Sequence, residues 1–335
     1  MSKTRSRDDE KQESNKKRLR MKTIIYDESK ANQWLDDPPL EIWDHHIIPL
    51  LGLKDLALSR HVCTFFEAYW QEKFNANLLP LRVPHDVVWI DQAMRVIEIL
   101  SSRREYTKAS PLVVLLGNGE HEITSIWADP NGMYRSTTLG ITCSNITFLG
   151  KGKGTTTVVG GFGIYEQENI TFKNMTVINT SGQWDDGEDA EDSNNISMSN
   201  AKVELFDVVL KGCGNCALTV SSILSETTIV ATRCEFANNA FGAAVEGSLT
   251  SATFKNCVFH DNDYDGIEVD ENATVHLHGE ATAIHSNGRH GITAWNLSKV
   301  IIHLPSDHNT SYNNGDEDRD TNGGELEGTI TNVED

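Results

Sequence analysis

Basic residues, cysteines and long apolar runs are scarce in this sequence. Only 29 Lys and Arg oppose 49 Asp and Glu, giving a net charge of −20 at pH 7, so the chain lacks the basic face that nucleic-acid binding needs. Six cysteines in 335 residues argue against a disulfide scaffold. No run approaches the ~18 apolar residues of a membrane span, and no apolar segment follows the first residues as in a secretory signal. We therefore expect a soluble, cytoplasmic or nuclear protein without a membrane or nucleic-acid partner.

The charges cluster at the two ends of the chain. Residues 1–22 contain nine Lys and Arg against four acids, a composition that cannot bury apolar surface, so we predict a disordered basic tail over 1–30. Its KKRLRMK run could also be a nuclear localisation signal. Residues 316–335 contain eight acids against one Arg, and we predict a solvated acidic tail there.

Internal repeats dominate the sequence from residue 111 onward. Each copy has two apolar pairs at i and i+2 and then a polar turn, often with Asn. Because the turns are too short for a crossover helix, the period-2 strands predict a coiled parallel sheet with the apolar positions stacked inside. The equivalent apolar positions are Phe172, Leu205, Ala231, Phe254, Leu277 and Ile302, separated by 33, 26, 23, 23 and 25 residues.

One polar position of the repeat also predicts a stack. Asn side chains in successive turns can hydrogen-bond to each other and tolerate the left-handed conformation. This position is filled by Thr180, Cys213, Asn239, Asn262 and Asn287.

The segment before the repeat has a different composition. Residues 35–80 are rich in Leu, Ile, Trp and Phe and have the signals of short helices, but are too few for a core of their own. Residues 84–108 predict an amphipathic capping helix that covers the exposed edge of the first coil. The apolar face of that helix consists of Ile90, Ala93, Met94, Ile97 and Leu100.

Residues 111–315 resemble the right-handed parallel β-helix superfamily, with the pectin-lyase-like fold. The run PLVVLLGNGEHEI, from Pro111 to Ile123, is similar to the entry strand of that family. The resemblance implies a mainly β solenoid with a small helical segment at its N-terminal side. It does not decide the activity, because lyases, hydrolases and binding proteins share the fold.

Residues 38–70 resemble an F-box. The matching positions are Pro39, Glu41, Ile42, Ile47, Leu53, Asp55, Leu56, Val62 and Cys63. The resemblance implies that these residues bind the Skp-type adaptor of a cullin–RING ubiquitin ligase, while the β-helix binds an unknown protein or carbohydrate substrate. Our main functional hypothesis is therefore a non-enzymatic substrate-recognition adaptor of an SCF-type ligase.

Two alternatives remain open: a polysaccharide-acting lyase or hydrolase of the pectin-lyase-like class, and a non-catalytic ligand-binding β-helix. An enzyme would need clustered carboxyl groups, one acting as acid and another activating water. The candidate catalytic residues are Asp263, Asp265 and His290, with Asp270 and Arg289 beside them. The likeness to polygalacturonases is partial, since Arg289 replaces the first Gly of their Gly-His-Gly motif and no Asn-Thr-Asp occurs.

We predict no metal site and no cofactor. The run DNDYDG at 261–266 begins like a calcium loop but lacks the Glu at its twelfth position. Cys213 and Cys216 have the spacing of zinc ligands, but no second pair accompanies them. His276 and His278 offer no recognisable ligand pattern in the sequence.

Overall fold

The computed structural model describes residues 80–102, 105–128, 132, 134–180, 193–222, 224–304, 310–322 and 324–334. The predicted basic tail and the F-box-like segment up to residue 79, with all nine adaptor-binding positions, lie outside the described residues and stay predictions. No helix in the described ranges has both the length and the apolar character needed to cross a bilayer.

Apart from one helix, the regular secondary structure of the described residues is all β-strand. Its elements in order are β1 (Leu81–Val83), α1 (Ile90–Ser101), β2 (Leu112–Leu116), β3 (Gly119–Glu122), β4 (Trp127–Ala128), β5 (Tyr134–Arg135), β6 (Thr138–Ile141), β7 (Ile146–Leu149), β8 (Thr156–Val159), β9 (Gly161–Tyr165), β10 (Ile170–Ile178), β11 (Ile196–Ser199), β12 (Lys202–Lys211), β13 (Cys216–Ser221), β14 (Thr227–Thr232), β15 (Glu235–Ala237), β16 (Phe241–Glu246), β17 (Thr250–Lys255), β18 (Val258–His260), β19 (Ile267–Asp270), β20 (Thr274–His278), β21 (Ala283–His285), β22 (Ile292–Ala294), β23 (Lys299–Leu304), β24 (Ser311–Tyr312), β25 (Arg319–Asp320) and β26 (Thr329–Glu334).

Within the described residues, β4 and β5 pair with each other in antiparallel fashion, and the other strands form two large parallel sheets that share the winding of the chain. The first sheet has the order β1-β2-β7-β10-β12-β14-β17-β20-β23-β26, with β3, β8, β15, β18, β21 and β24 beside this row. The second sheet has the order β6-β9-β11-β13-β16-β19-β22-β25. Successive strands within a sheet belong to successive coils and pair in parallel, so the predicted mainly β, parallel β-helix architecture is confirmed. Parallel crossovers are right-handed as a rule, and a right-handed coil stays a prediction.

The predicted apolar stack forms the core of the coil. Phe172 pairs with Leu205, and the series continues through Ala231, Phe254 and Leu277 to Ile302, each position in register with the next. All six side chains are at most 1% exposed. The sequence period therefore predicted the register of the first sheet correctly.

The predicted Asn stack is present from Cys213 to Asn287 and extends one coil further, whereas Thr180 is exposed and lies outside it. The Nδ2 groups of Asn239, Asn262 and Asn287 each donate to the Oδ1 of the next Asn, at 2.9–3.1 Å, and the last acceptor is Asn314. At the other end, Cys213 N donates to Asn239 Oδ1 at 3.1 Å. Because these buried amides satisfy one another between coils, the corner leading toward the second sheet is held in a fixed position.

Helix α1 packs on the first coil. Ile90, Ala93, Met94, Val96 and Ile97 are buried, whereas Leu100, expected on this face, is only half-buried. The carboxylate of Asp91 accepts hydrogen bonds from Thr124 and Ser125, and Glu98 accepts one from Thr142.

Strands continue beyond both predicted limits of the repeat. Before α1, strand β1 pairs with β2. Most of the described residues in the predicted acidic tail, 316–335, are exposed, as a solvated segment should be. The segment nevertheless contains paired strands, because β26 pairs with β23 along all of Thr329–Glu334 and β25 pairs with β22. The physical reason is that the edge of β23 exposes backbone groups that need partners, and backbone pairing leaves acidic side chains free to face solvent.

Candidate functional site

The outer face of the second sheet contains a group of carboxyl side chains. In β19, Ile267 and Val269 point into the core, so Glu268 and Asp270 point outward. The register places Glu246 of β16 beside Asp270 and the buried Thr293 of β22 beside Glu268. The period-2 alternation thus brings carboxyls from two adjacent coils together on one face.

Asp265 lies in the turn that leads into β19 and is fully buried. Its Oδ1 accepts a hydrogen bond from the backbone N of His290 at 2.9 Å and lies 3.1 Å from the Nδ1 of that ring. Arg289 Nε lies 4.0 Å from the same oxygen. In the described part of the chain, the second oxygen, Oδ2, has no hydrogen-bond partner although it is buried.

The Asp265 carboxylate orients the His290 ring. When Nδ1 faces a carboxylate, that nitrogen carries a proton, and Nε2 is left to accept or exchange one. His290 retains 13% side-chain exposure against 39% for Arg289. The turn before β22 therefore presents one oriented imidazole and one guanidinium beside the carboxyls of β19.

Glu268 has the most perturbed carboxyl pKa of this face. Burial, and after it the negative charges of Asp265, Glu246 and Asp270, together raise the pKa of Glu268 to about 7, although Arg289 lowers it. Burial also raises the pKa of Glu246. A carboxyl that keeps its proton near neutral pH is able to donate it, as a general acid does.

Asp270 differs from Glu268 in its hydrogen bonding. Its Oδ1 accepts from the backbone N of Glu271 and from the Nδ2 of Asn296, both at 2.7 Å. The two outward side chains of β19 therefore have different surroundings, and such differences separate acid from base roles in carboxyl pairs.

An aromatic ring lies on the same sheet several coils earlier. The ring of Trp127 covers Gly140 of β6 and Gly163 of β9 so closely that neither position has room for a Cβ. In register beyond Gly163 lie Ser197, Thr219 and then Ala244, which precedes Glu268. An outward row of an indole, small residues and then carboxyls thus follows the axis of the coil.

The sequence predicted part of this site. Asp265 and His290 are brought into contact, with Arg289 and Asp270 nearby, as the 25-residue spacing indicated. Asp263 is not part of the group: it is exposed, and its backbone carbonyl rather than its carboxyl packs against the following coil at Gly288.

Glu268 and Glu246 were not among the candidate residues from the sequence. The only signal was alternation in the run IEVD, where Glu268 lies between two buried residues. Alternation alone shows that such a residue points outward, but not which charges on the neighbouring coils it meets.

The expectation that the histidines have no ligand geometry is wrong. Ring nitrogens of His276, His278 and His303 all lie within 4.8 Å of one another. The reason is the coil register, which aligns residues 25 apart and so places β23 beside β20. Burial and the neighbouring His303 lower the pKa of His276.

Cys213 and Cys216, the other pair considered as metal ligands, are both buried. Burial raises the pKa of each thiol to about 12. Near neutral pH both groups are therefore thiols rather than thiolates.

No protein-family model and no curated protein matches this chain. Among solved structures, it is similar to ORF18 of Geobacillus virus E2, at 11% identity and a TM-score of 0.44, covering 67% of this chain and 54% of that one. It is also similar to the A-module of the mannuronan C-5 epimerase AlgE4 of Azotobacter vinelandii, at 15% identity and a TM-score of 0.30, covering 64% and 72%. A pectate lyase (pelN) from Paenibacillus sp. 0602 matches at 9% identity and a TM-score of 0.36, covering 68% and 73%.

The chain thus spans about half the length of the virus protein. Likeness at these identities concerns the parallel coil architecture alone. The strand pairing identifies a parallel β-helix. The chemistry of this chain has to be derived from its own side chains.

Proposed function

We propose that this chain hydrolyses glycosidic bonds in a polysaccharide that lies along the outer face of the second sheet. The observation that carries the proposal is Glu268, a carboxyl group whose pKa of about 7 keeps it protonated in part at neutral pH, set among other carboxyls on an open face. Hydrolysis of a glycosidic bond requires one such acid and a second carboxyl.

Glu268 is the proton donor in this proposal, and Asp270 is the base. The Glu268 carboxyl gives its proton to the glycosidic oxygen as the bond from that oxygen to the anomeric carbon breaks. A water molecule attacks the anomeric carbon and loses its proton to Asp270. The two residues lie two positions apart on one strand, about 6.6 Å at the Cα atoms, and the separation of their carboxyl groups decides between inversion and retention of configuration.

Asp265, His290 and Arg289 position the sugar beside this pair. Asp265 fixes the ring of His290, whose Nε2 faces away from the carboxylate and is available to a sugar hydroxyl. Arg289 offers guanidinium donors from the same turn.

The row from Trp127 to Glu268 favours a polymer over a single sugar. From Gly163, under the indole, to Glu268 there are four coil steps, or about 19 Å at ~4.8 Å per step. An apolar indole face with polar groups around it is a surface on which sugar rings pack.

A neutral polysaccharide fits this face better than an acidic one. The carboxyls of Glu246, Glu268 and Asp270 would meet a uronate with like charge, against one guanidinium from Arg289. This charge balance favours the hydrolase over the lyase, which must neutralise a uronate before it removes a proton.

The test is incubation of the full chain with neutral polysaccharides (xylan, mannan and amylose) and acidic ones (polygalacturonate and alginate). We expect new reducing ends from a neutral substrate, without the ultraviolet absorbance of an unsaturated sugar. Glu268→Gln should lower kcat by at least about 100-fold, the usual contribution of a general acid, while Glu280→Gln, at an exposed turn position, should not.

Three results would contradict the proposal. Release of unsaturated uronate products would identify a lyase instead. Equal release of reducing ends by wild type and Glu268→Gln would show that Glu268 is not the general acid. No product from any of the five polysaccharides would favour a non-catalytic β-helix.

The adaptor hypothesis depends on residues 38–70, which the structure does not describe. Binding of the Skp-type adaptor, and a cytoplasmic or nuclear location, therefore stay predictions. A pull-down of that adaptor with wild type and Leu56→Asp tests them directly.

A further inference from the structure

A second cluster of side chains lies on the outer face of the first sheet. His276 and His278 are two residues apart on β20 and project to the same side. The register of β20 with β23 pairs Leu277 with Ile302, so His303 follows directly beside His278. His276 Nδ1 is 3.0 Å from His303 Nε2, and the rings of His278 and His303 stack at 3.8 Å between centroids. All three side chains are half-buried.

These distances match what a metal ion requires. Nitrogen ligands bind Zn²⁺ at about 2.0–2.1 Å, so two ligands of a tetrahedral ion lie about 3.4 Å apart. One nitrogen pair, between His276 and His303, is already at 3.0 Å, and the full set lies within 4.8 Å. Rotation of the His278 ring about its own side-chain bonds would close the remaining gap.

We propose that His276, His278 and His303 form a three-nitrogen binding site for a divalent transition metal, Zn²⁺ or Cu²⁺, on the outer face of β20 and β23. A set of three imidazoles selects these ions over Mg²⁺ and Ca²⁺, which prefer oxygen ligands. Three protein ligands leave one position of a tetrahedral ion for water or another small ligand.

The surroundings of the cluster are compatible with an ion. Lys255, in register with His278 on the preceding coil, is exposed, and its flexible side chain can extend into solvent away from an added positive charge. On the following coil, His303 is in register with Val333. Because its ligands come from two successive coils, the metal would join β20 to β23 and stabilise the C-terminal part of the β-helix.

This site is independent of the proposed hydrolytic site, since it lies on the other sheet and uses different residues. The test titrates ZnCl₂, and separately CuCl₂, into the full chain, prepared without a histidine tag and treated with a chelator, and follows the heat of binding. We expect His276→Gln, His278→Gln and His303→Gln each to abolish the binding of one equivalent of Zn²⁺ or to weaken it by more than about 10-fold. Loss of a residue that only hydrogen-bonds to a metal ligand already lowers metal affinity by about 10-fold or more, so loss of a ligand should cost at least as much.

His285→Gln is the matched control. His285 stacks on His260 at 5.3 Å on the same sheet, so the change removes a stacked histidine outside the cluster and should leave the Zn²⁺ stoichiometry unchanged. Far-UV circular dichroism without metal checks that every variant is folded. Zn²⁺ should also raise the melting temperature of wild type, by mass action on the folded state, and should not do so in folded His303→Gln.

The absorption spectrum of the Co²⁺ complex provides a readout of the ligands themselves. Its visible bands should change in each of the three cluster variants and not in the control. Zn²⁺ binding that is equal in wild type and His303→Gln, or the absence of Zn²⁺ and Cu²⁺ binding by folded wild type, would overturn the proposal. Displacement of Zn²⁺ by equimolar Ca²⁺ would overturn the nitrogen-ligand assignment.

Discussion

Replacing Glu268 with Gln should remove a pH dependence from the stability of this protein. The ordinary pKa of a glutamate is 4.5, and burial among other carboxyls raises the folded-state pKa of Glu268 to about 7. Below pH 4.5 the group is protonated in both states. As the pH rises, the unfolded chain ionises first while the folded chain keeps its proton, so the free energy of unfolding falls until the pH passes about 7.

The magnitude follows from the two pKa values. At ~1.4 kcal/mol for each tenfold change in proton affinity, the full loss is about 3 kcal/mol, of which about 2.5 kcal/mol falls between pH 5 and pH 8. Gln cannot ionise, so the variant lacks this loss. The free energy of unfolding of wild type, measured relative to that of Glu268→Gln, should therefore be about 2.5 kcal/mol lower at pH 8 than at pH 5.

The assay is urea-induced unfolding of wild type and Glu268→Gln at both pH values, followed by circular dichroism. Groups remote from Glu268 titrate equally in the two proteins and cancel in the difference. Glu280→Gln, at an exposed turn, should show a difference from wild type that is independent of pH. If wild type and Glu268→Gln differ by the same free energy at pH 5 and pH 8, then Glu268 is an ordinary carboxyl, and its assignment as a general acid fails with it.

Three further predictions concern the core of the β-helix. Asn262→Ala removes four buried side-chain hydrogen bonds and should lower the free energy of unfolding by about 4 kcal/mol, at ~1 kcal/mol for each bond. The control Asn322→Ala, at an exposed position, should change that free energy little in the same urea titration. Phe254→Ala leaves a cavity beside two other buried rings and should cost about 3–5 kcal/mol, and an unchanged urea midpoint would contradict its place in the core. Burial raises the thiol pKa of Cys213 and Cys216 to about 12, so these two thiols should not react with Ellman's reagent at pH 8 until urea unfolds the chain. Rapid reaction of Cys213 or Cys216 in the folded protein would show that they are accessible.

Much of the architecture could be predicted because each coil repeats the same local pattern. The spacing of Phe172, Leu205 and Ala231 already contained the register of the first sheet, since a coil of parallel strands aligns equivalent residues of successive repeats. The Asn position of the turns was equally visible. The strands among the acidic C-terminal residues were not predicted because composition describes side chains, whereas pairing of β26 with β23 depends on backbone groups.

The sequence by itself determined which residues point inward, because apolar alternation with a fixed period leaves one arrangement that buries them. Only the tertiary structure decided which outward residues meet. Glu246 and Glu268, or His278 and His303, come from different coils, and their contact depends on coil length, turn geometry and side-chain direction. The perturbed pKa of Glu268 and the shared position of the three histidines arise from distances of a few ångströms between coils, and a one-dimensional pattern does not contain those distances.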